Sequence, residues 1–446
     1  MQTIAQAVSD LEAGRTTARQ LVENCLEKIE APDGEGGRAF VRVYAEEARA
    51  SADAMDALRK VARAPGKLAG VPISVKDLFD VAGERTAAAS KVLASANAAA
   101  SHSTVVARVL AAGLIPMGRT NMTEFAFSGI GINPHFGTPK SPWKRNEGHV
   151  PGGSSSGAAV SVADGMALAG LGTDTGGSCR VPAAFCGIVG YKPTARRVPL
   201  DGVLPLSPSL DSVGPLANTS RCCAAIDAVL AGEPLPDVPK LELRGLRLAV
   251  PGNMVLDEME APVAEAFSRA LNRLGNLGVR ITHLAFPQFD AIAAANAAGG
   301  FAAAEAHAWH REYLADQPEV YDRRVRVRIE RGESMTAGDM VRLIRTRREI
   351  MSSMDRATAP YDAVVMPTCP ILPPRIADLD DDAAFARMNT LALRNTSLGN
   401  FLDRCAISLP AHRPGEAPVG LMLMGETGGD GRLFALAAAV EGVLRE

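Results

Sequence analysis

A chain of 446 residues, 47% hydrophobic and 22% charged, can bury a large core, and its length allows two or three domains or one large α/β unit. Its 47 basic and 50 acidic residues leave a formal net charge of −3 with no basic run, which argues against a nucleic-acid or anionic-membrane surface. No stretch approaches a membrane span, the first residues lack the basic start and long apolar run of a secretory signal, and seven cysteines without CxxC pairing suit neither a zinc site nor a disulfide framework, so a reducing cytoplasm is expected.

Along the chain, Thr17 and Gln20 form a capping-box pattern ahead of Leu21, Val22, Cys25, Leu26 and Ile29 at helical spacing. Residues 39–44 alternate like a strand, and the alanine-rich stretch 46–64 reads as a helix ended by Pro65 and Gly66. VPISV then reads as a buried strand with Lys76 at its C-terminal end, where open α/β sheets place ligand-handling groups. Taken alone, such a lysine is usually a snorkelling surface residue. Residues 103–113 give an amphipathic helix stopped by Gly113, and a strand follows over 114–118.

Residues 151–194 hold two glycine-serine clusters around a run of small apolar residues. Gly152 and Gly153 precede Ser154, Ser155 and Ser156, while Gly176 and Gly177 precede Ser178. Glycine opens backbone conformations closed to other residues, so both serines can sit on ligand-facing turns. The intervening AAVSVADGMALAGLG reads as a short helix and a buried strand, which returns the chain to within reach of Ser154. Two blander readings compete. A flexible linker would not be embedded in apolar sequence, and a phosphate-cradling loop would need a lysine where Ser178 and Cys179 follow Gly177.

Further on, strands are expected over 246–250 and 279–284, with a helix over 258–274 between them. Residues 288–357 read as mostly helical, with many arginines on a solvated face. No low-complexity linker or solenoid repeat interrupts the α/β alternation, so a single domain over 1–446 is expected.

The blocks GGSSSG and GTDTGGS, with the spacing between them, resemble the signature of the amidase signature family of serine hydrolases. GVPISVKD resembles that family's lysine motif, and residues 361–374, 400–410 and 418–425 look like its closing strands. The likeness is firm over about 65–220 and looser beyond. It implies an α/β fold in which helices enclose a mixed sheet, with Ser178 as nucleophile, Ser154 as bridging serine after a cis peptide, and Lys76 as base. Ser155, Asp174 and Arg180 would support them. Backbone N–H groups of Thr175, Gly176, Gly177 and Ser178 form a nest able to hold an oxyanion. Met122, Phe125 and Phe127 each suit a core, and similarity places some of them at the acyl side of the pocket. His135 is read as structural, because the family works without a catalytic histidine.

The expected activity is hydrolysis of a small carboxamide, with no cofactor or metal, no nucleic-acid or membrane partner, and a homodimer left open. Two alternatives stand beside it. One is the glutaminase subunit of a tRNA-dependent amidotransferase, the other a catalytically silent interaction protein of the same fold. Retention of Lys76, Ser154 and Ser178 together argues against the silent protein. The glutaminase subunits carry a glycine-tyrosine-tyrosine stretch after their arginine segment, which 325–343 lacks, so glutamine recognition is not carried over to Arg328.

Overall fold

The computed structural model describes residues 2–445. Strands and helices alternate along the chain, and the strands pair into one sheet. They are β1 (Phe40–Val43), β2 (Pro72–Lys76), β3 (Ile115–Thr120), β4 (Ala169–Thr173), β5 (Val189–Lys192), β6 (Val213–Ala217), β7 (Arg247–Pro251), β8 (Arg280–Leu284), β9 (Ala363–Pro367), β10 (Ala406–Pro410) and β11 (Gly420–Met424). Their spatial order is β1-β3-β2-β4-β6-β5-β10-β11-β9-β7-β8. β2 runs parallel to β3 and β4, and β7 runs parallel to β8 and β9, while the other pairings are antiparallel. The sheet is therefore mixed, as expected.

Helices cover both faces, which is why the central strands are short runs of small and aliphatic residues buried throughout. Successive side chains go to opposite layers. In β11, Leu421 and Leu423 join the larger core cluster, while Met422 and Met424 join a second one that includes Phe286, Phe301 and Met354 from the helices 287–358 and their connections. β9 divides in the same way, with Ala363 and Val365 on one side and Val364 and Met366 on the other. Full burial of one such aliphatic side chain stabilises the fold by about 1.5–3 kcal/mol.

Element edges differ from the sequence reading in physically plain ways. Thr17 accepts from Gln20 N at 3.0 Å, but the Gln20 side chain donates forward to Asn24 instead of reaching back, so the capping box is half made. The helix after β1 spans Ala45–Lys60 and stops short of Pro65, because Ala62 has a positive φ of 54°. The helix expected from Glu258 begins at Ala261, because Glu258 has a positive φ of 51°. Among the described residues, no helix is long and apolar enough to cross a membrane.

Sheet register sets the positions of the functional groups. Ser74, Val75 and Lys76 close β2, with Ser74 opposite Gly170 and Val75 opposite Leu171 of β4. Ser74 Oγ lies 2.8 Å from Ser161 Oγ on the helix Ser156–Ala163. Lys76, two residues on, shares that face and emerges level with the end of β4.

Candidate active site

At the shared C-terminal edge of β2 and β4, Lys76 Nζ donates to Ser154 Oγ at 2.8 Å and to Thr173 Oγ1 at 2.7 Å. The lysine side chain is wholly buried. Burial pushes its pKa down to about 8, against the opposing influence of Cys179, Asp174 and Asp211. An amine so placed has a substantial neutral fraction near neutral pH, which a solvated lysine does not.

Ser154 follows a cis peptide bond after Gly153, as the resemblance implied. Gly153 N donates to Gly129 O at 2.8 Å, and the chain then enters the helix Ser156–Ala163. The two serine clusters meet directly here. Ser155 N donates to Ser178 O at 3.3 Å, and Ser155 Oγ donates to Thr173 O at 3.3 Å, so Ser155 ties together both loops and the end of β4.

The loop from Asp174 to Ser178 is held at its ends and free in its middle. Asp174 N donates to Ser212 O at 2.7 Å, and Cys179 N donates to Asp174 Oδ2 at 3.0 Å. Among the described residues, the amides of Thr175, Gly176, Gly177 and Ser178 between them donate to no protein acceptor. A run of unspent N–H groups is what a developing oxyanion needs. Gly177 has a φ of 137°, and a Cβ there would lie 2.1 Å from Thr396 Oγ1, so only glycine fits. Thr396 Oγ1 in turn donates to Gly176 O at 2.6 Å.

Beneath this loop lies an ion pair with both side chains at 0% exposure. Arg180 donates to Asp174 through Nε at 3.0 Å and Nη2 at 2.8 Å. Asn400 Nδ2 adds a bond to Asp174 Oδ1 at 3.0 Å. Although burial disfavours its charge, Asp174 is held down at about 2 by the Arg180 and Asn400 contacts. Nearby, Thr175 Oγ1 donates to Asp211 at 2.5 Å, and burial raises that carboxyl to about 6.

Ser178 opens onto a cavity of about 260 Å³ whose wall is mostly apolar. Thr175, Gly176 and Ser178 line it together with Phe127, Leu206, Leu210, Leu393 and Phe401. Of the three expected pocket residues, only Phe127 reaches it. Met122 and Phe125 lie in the core cluster behind, where Phe125 packs edge-on against His310 with ring centroids 4.3 Å apart. His135 lies beside Glu124, with Nε2 2.8 Å from Oε1, and makes no hydrogen bond to Lys76, Ser154 or Ser178. Arg328, read as part of a solvated face, instead turns into the cavity wall. Sequence reasoning missed Thr173, Asp211, Asn389, Thr396 and Asn400. Thr173 lies inside the quoted motif GTDTGGS and Asn400 opens the stretch 400–410 that resembles the family, so a signal for these two existed, whereas Asp211, Asn389 and Thr396 lie outside the quoted motifs and ranges.

Comparison with known proteins places this geometry in context. A family model described as Amidase matches residues 20–434. The chain is 35% identical to 2-amino-5-chloromuconic acid deaminase of Comamonas testosteroni, over 99% of this chain and 96% of that protein. It is 33% identical to a glutamyl-tRNA(Gln) amidotransferase subunit of Thioalkalivibrio sulfidiphilus, over 99% of this chain and 97% of that protein. A crystal structure of an amidase superposes with a TM-score of 0.89 at 31% identity, covering 99% of both chains. With a family model spanning most of its length and relatives matched nearly end to end, this chain belongs to the amidase family.

Proposed function

We propose that the protein, as one amidase domain, hydrolyses the C–N bond of a small carboxamide through an acyl-enzyme on Ser178. The observation that carries this reading is the buried Lys76, hydrogen-bonded to Ser154 beside a loop whose four amides have no protein acceptor among the described residues.

An amide is a poor electrophile with a poor leaving group, so it needs an activated nucleophile, an oxyanion stabiliser and a proton donor. Ser178 Oγ attacks the carbonyl carbon as its proton passes to Ser154 and the Ser154 proton passes to neutral Lys76. The carbonyl oxygen takes up negative charge among the amides of Thr175, Gly176, Gly177 and Ser178. Collapse of the tetrahedral species breaks the C–N bond, and the proton held at Lys76 returns through Ser154 to the departing nitrogen. Water then attacks the acyl-enzyme by the same relay, releasing carboxylate and restoring Ser178. Asp174 and Arg180 hold the nucleophile loop, and Ser155 holds the two serine loops together.

One observation favours a second reading, the glutaminase of a tRNA-dependent amidotransferase: Arg328 stands in the wall of the Ser178 cavity. The absent glycine-tyrosine-tyrosine stretch weighs against it. We place the enzyme in a reducing cytoplasm, in keeping with seven free, buried cysteines, as a monomer or homodimer acting on a small molecule. The test is release of ammonia or amine by the purified chain from a panel of aliphatic and aromatic amides, glutamine and 2-amino-5-chloromuconic acid. Turnover of a simple amide without partner chains is expected. Glutamine turnover that begins only with a co-purified partner would transfer the assignment to the glutaminase.

A further inference from the structure

Among the described residues, the amides of the loop from Thr175 to Ser178 are unspent, so the aim of that loop is set from outside it. Asp174 N donates to Ser212 O at 2.7 Å and Ser212 N donates to Asp174 O at 3.1 Å, which pins the residue before the loop. Thr175, which follows, carries the first free amide and is 5% exposed. Its Oγ1 donates to Asp211 Oδ1 at 2.5 Å, a short bond of the kind a charged acceptor makes. Residues 211 and 212 therefore grip residues 175 and 174, one through its side chain and the other through its backbone.

Asp211 can hold Thr175 only if it is itself held. Its Oδ2 accepts from Leu206 N and Ser207 N, both at 3.0 Å, and its own N donates to Ser207 O at 2.8 Å. Ser207 Oγ donates at 2.5 Å to Glu305 on the helix Gly300–Asp316, and Ser209 O accepts at 3.1 Å from Arg347 on the helix Ala337–Thr358, so the segment 206–211 is clamped to two helices. Leu206 and Leu210 of that segment line the cavity over Ser178. The carboxylate is buried, its oxygens accept from three neutral donors, and burial raises it only to about 6, so it is ionised at neutral pH. Burying a charge among neutral donors is costly, and a turn that only has to fold needs no charge.

We infer that Asp211 is a positioning residue for the proposed hydrolysis: by fixing the Thr175 hydroxyl to the clamped cavity wall, it aims the amides of Thr175 to Ser178 at the carbonyl oxygen of the substrate. The inference rests on the amidase reading. Asp211 touches neither substrate nor reacting atoms and acts through Thr175 alone. Oxyanion donors must meet the oxygen at about 2.7–3.1 Å, so a loop that drifts by roughly an ångström loses most of their effect. One carboxylate bonded to both the loop and the wall makes them move as one body, which keeps that distance when a substrate is seated.

The experiment is steady-state kinetics of the full chain on the simple amide it turns over best, with kcat taken on the alkaline plateau where protonation of Lys76 does not enter. Thr175→Val keeps the shape and the backbone amide and removes only the hydroxyl, so it breaks the link without disturbing the amides of Leu206 and Ser207. Its kcat should fall roughly a hundredfold with KM changed by less than about threefold, and Thr175→Ser, which keeps the hydroxyl, should recover at least about tenfold of that loss. Asp211→Asn keeps the shape and removes the charge. It should lower kcat roughly tenfold in the wild-type background and not at all in Thr175→Val protein, because the bond it weakens is already absent there. An unchanged kcat in Thr175→Val, a loss that appears in KM instead, or an equal loss from Asp211→Asn in both backgrounds would overturn this inference alone. Wild-type protein that turns over no amide would overturn the amidase reading and this inference together, so the two failures are distinct.

Discussion

Ser155 N and Ser178 O are joined by a 3.3 Å hydrogen bond, so the two serine-bearing loops are one structural unit although β4 lies between them in the chain. This contact gives each serine a distinct place. Ser154 faces the lysine, and Ser178 faces the cavity.

That division of labour predicts where an acyl group collects. Ser178→Ala should remove amide turnover to below about a thousandth of wild type while the thermal midpoint stays within a few degrees, since only an oxygen at the cavity surface is lost. Hydroxylamine trapping of the intermediate, read by peptide mass spectrometry, should place the hydroxamate on Ser178. A label on Ser154 instead would reverse the assignment of the two serines.

The proton acceptor predicts a pH profile. In the proposed mechanism neutral Lys76 is the reactive form, and burial holds its pKa at about 8, so kcat/KM should rise with pH and level off above that value. The limb belongs to the coupled Lys76, Ser154 and Ser178 unit. Lys76→Ala should lower amide turnover by about 10²–10⁴-fold and abolish the limb, while an ester with a good leaving group should lose less, because its departure needs little acid. An unchanged limb in the variant would make the lysine structural.

The same lysine makes a stability prediction of the same sense. Its folded pKa of about 8 lies below the ordinary 10.5, so between these values the unfolded chain holds a proton that the folded chain does not. Stability from this group is therefore fully present above about 10.5 and is lost as pH falls through about 8, a change on the order of 3 kcal/mol. Lys76→Met lacks this dependence. Its thermal midpoint relative to wild type should be most favourable at pH 7 and should decline by a few degrees by pH 10.5.

Gly177 tests the proposed oxyanion loop. Gly177→Ala would drive a Cβ to 2.1 Å from Thr396 Oγ1, in a backbone conformation with φ of 137°. The loop must shift, and the amides of Thr175 to Ser178 lose their common aim. A loss in kcat of about 10²–10³-fold is expected, with KM changed much less. Gly177→Ala combined with Thr396→Gly, which removes both the Oγ1 and the Cβ that the new methyl would meet, tests whether the clash or the φ dominates: recovery indicates the clash, and no recovery indicates the backbone.

The buried pair beneath the loop should behave as an isolated charge when broken. Arg180→Met leaves Asp174 with Asn400 and Cys179 N but without its hydrogen-bonded cation, which should destabilise the protein by about 3–5 kcal/mol in urea unfolding. In wild type, the carboxylate held near 2 contributes stability above about pH 4 that is lost as pH falls toward 2. Arg180→Met should begin to lose its remaining activity at a higher pH than wild type as Asp174 protonates.

The three residues that carry the proposed chemistry were legible in the linear sequence, because glycine clusters and a strand-end lysine are local signals. Ser154 and Ser178 follow glycine pairs that free the backbone, while Lys76, which taken alone reads as a surface lysine, was marked by the resemblance of GVPISVKD to the family's lysine motif. The alternation of helix and strand was equally legible, since it depends on the spacing of apolar residues within one element. Phe125 shows where such reasoning ended. As an apolar residue beside the motif it suited a pocket wall, and only packing against His310, Trp309 and Tyr321 assigns it to the core.

What the tertiary structure alone decided is which distant groups complete each local motif. Thr173 meets Lys76 because β2 and β4 are parallel neighbours in a particular register, and Asn400 reaches Asp174 because β10 and its preceding helix return to the centre of the sheet. Asn389 and Arg328 come together only when two helices separated in the chain pack on the same loop at Phe127 and Ser128. Local propensity depends on a few neighbouring residues, whereas these contacts depend on the global minimum of packing, so the sequence by itself determined the proposed nucleophile, the proposed base and the alternating architecture, and the fold decided their partners and the shape of the chamber they serve.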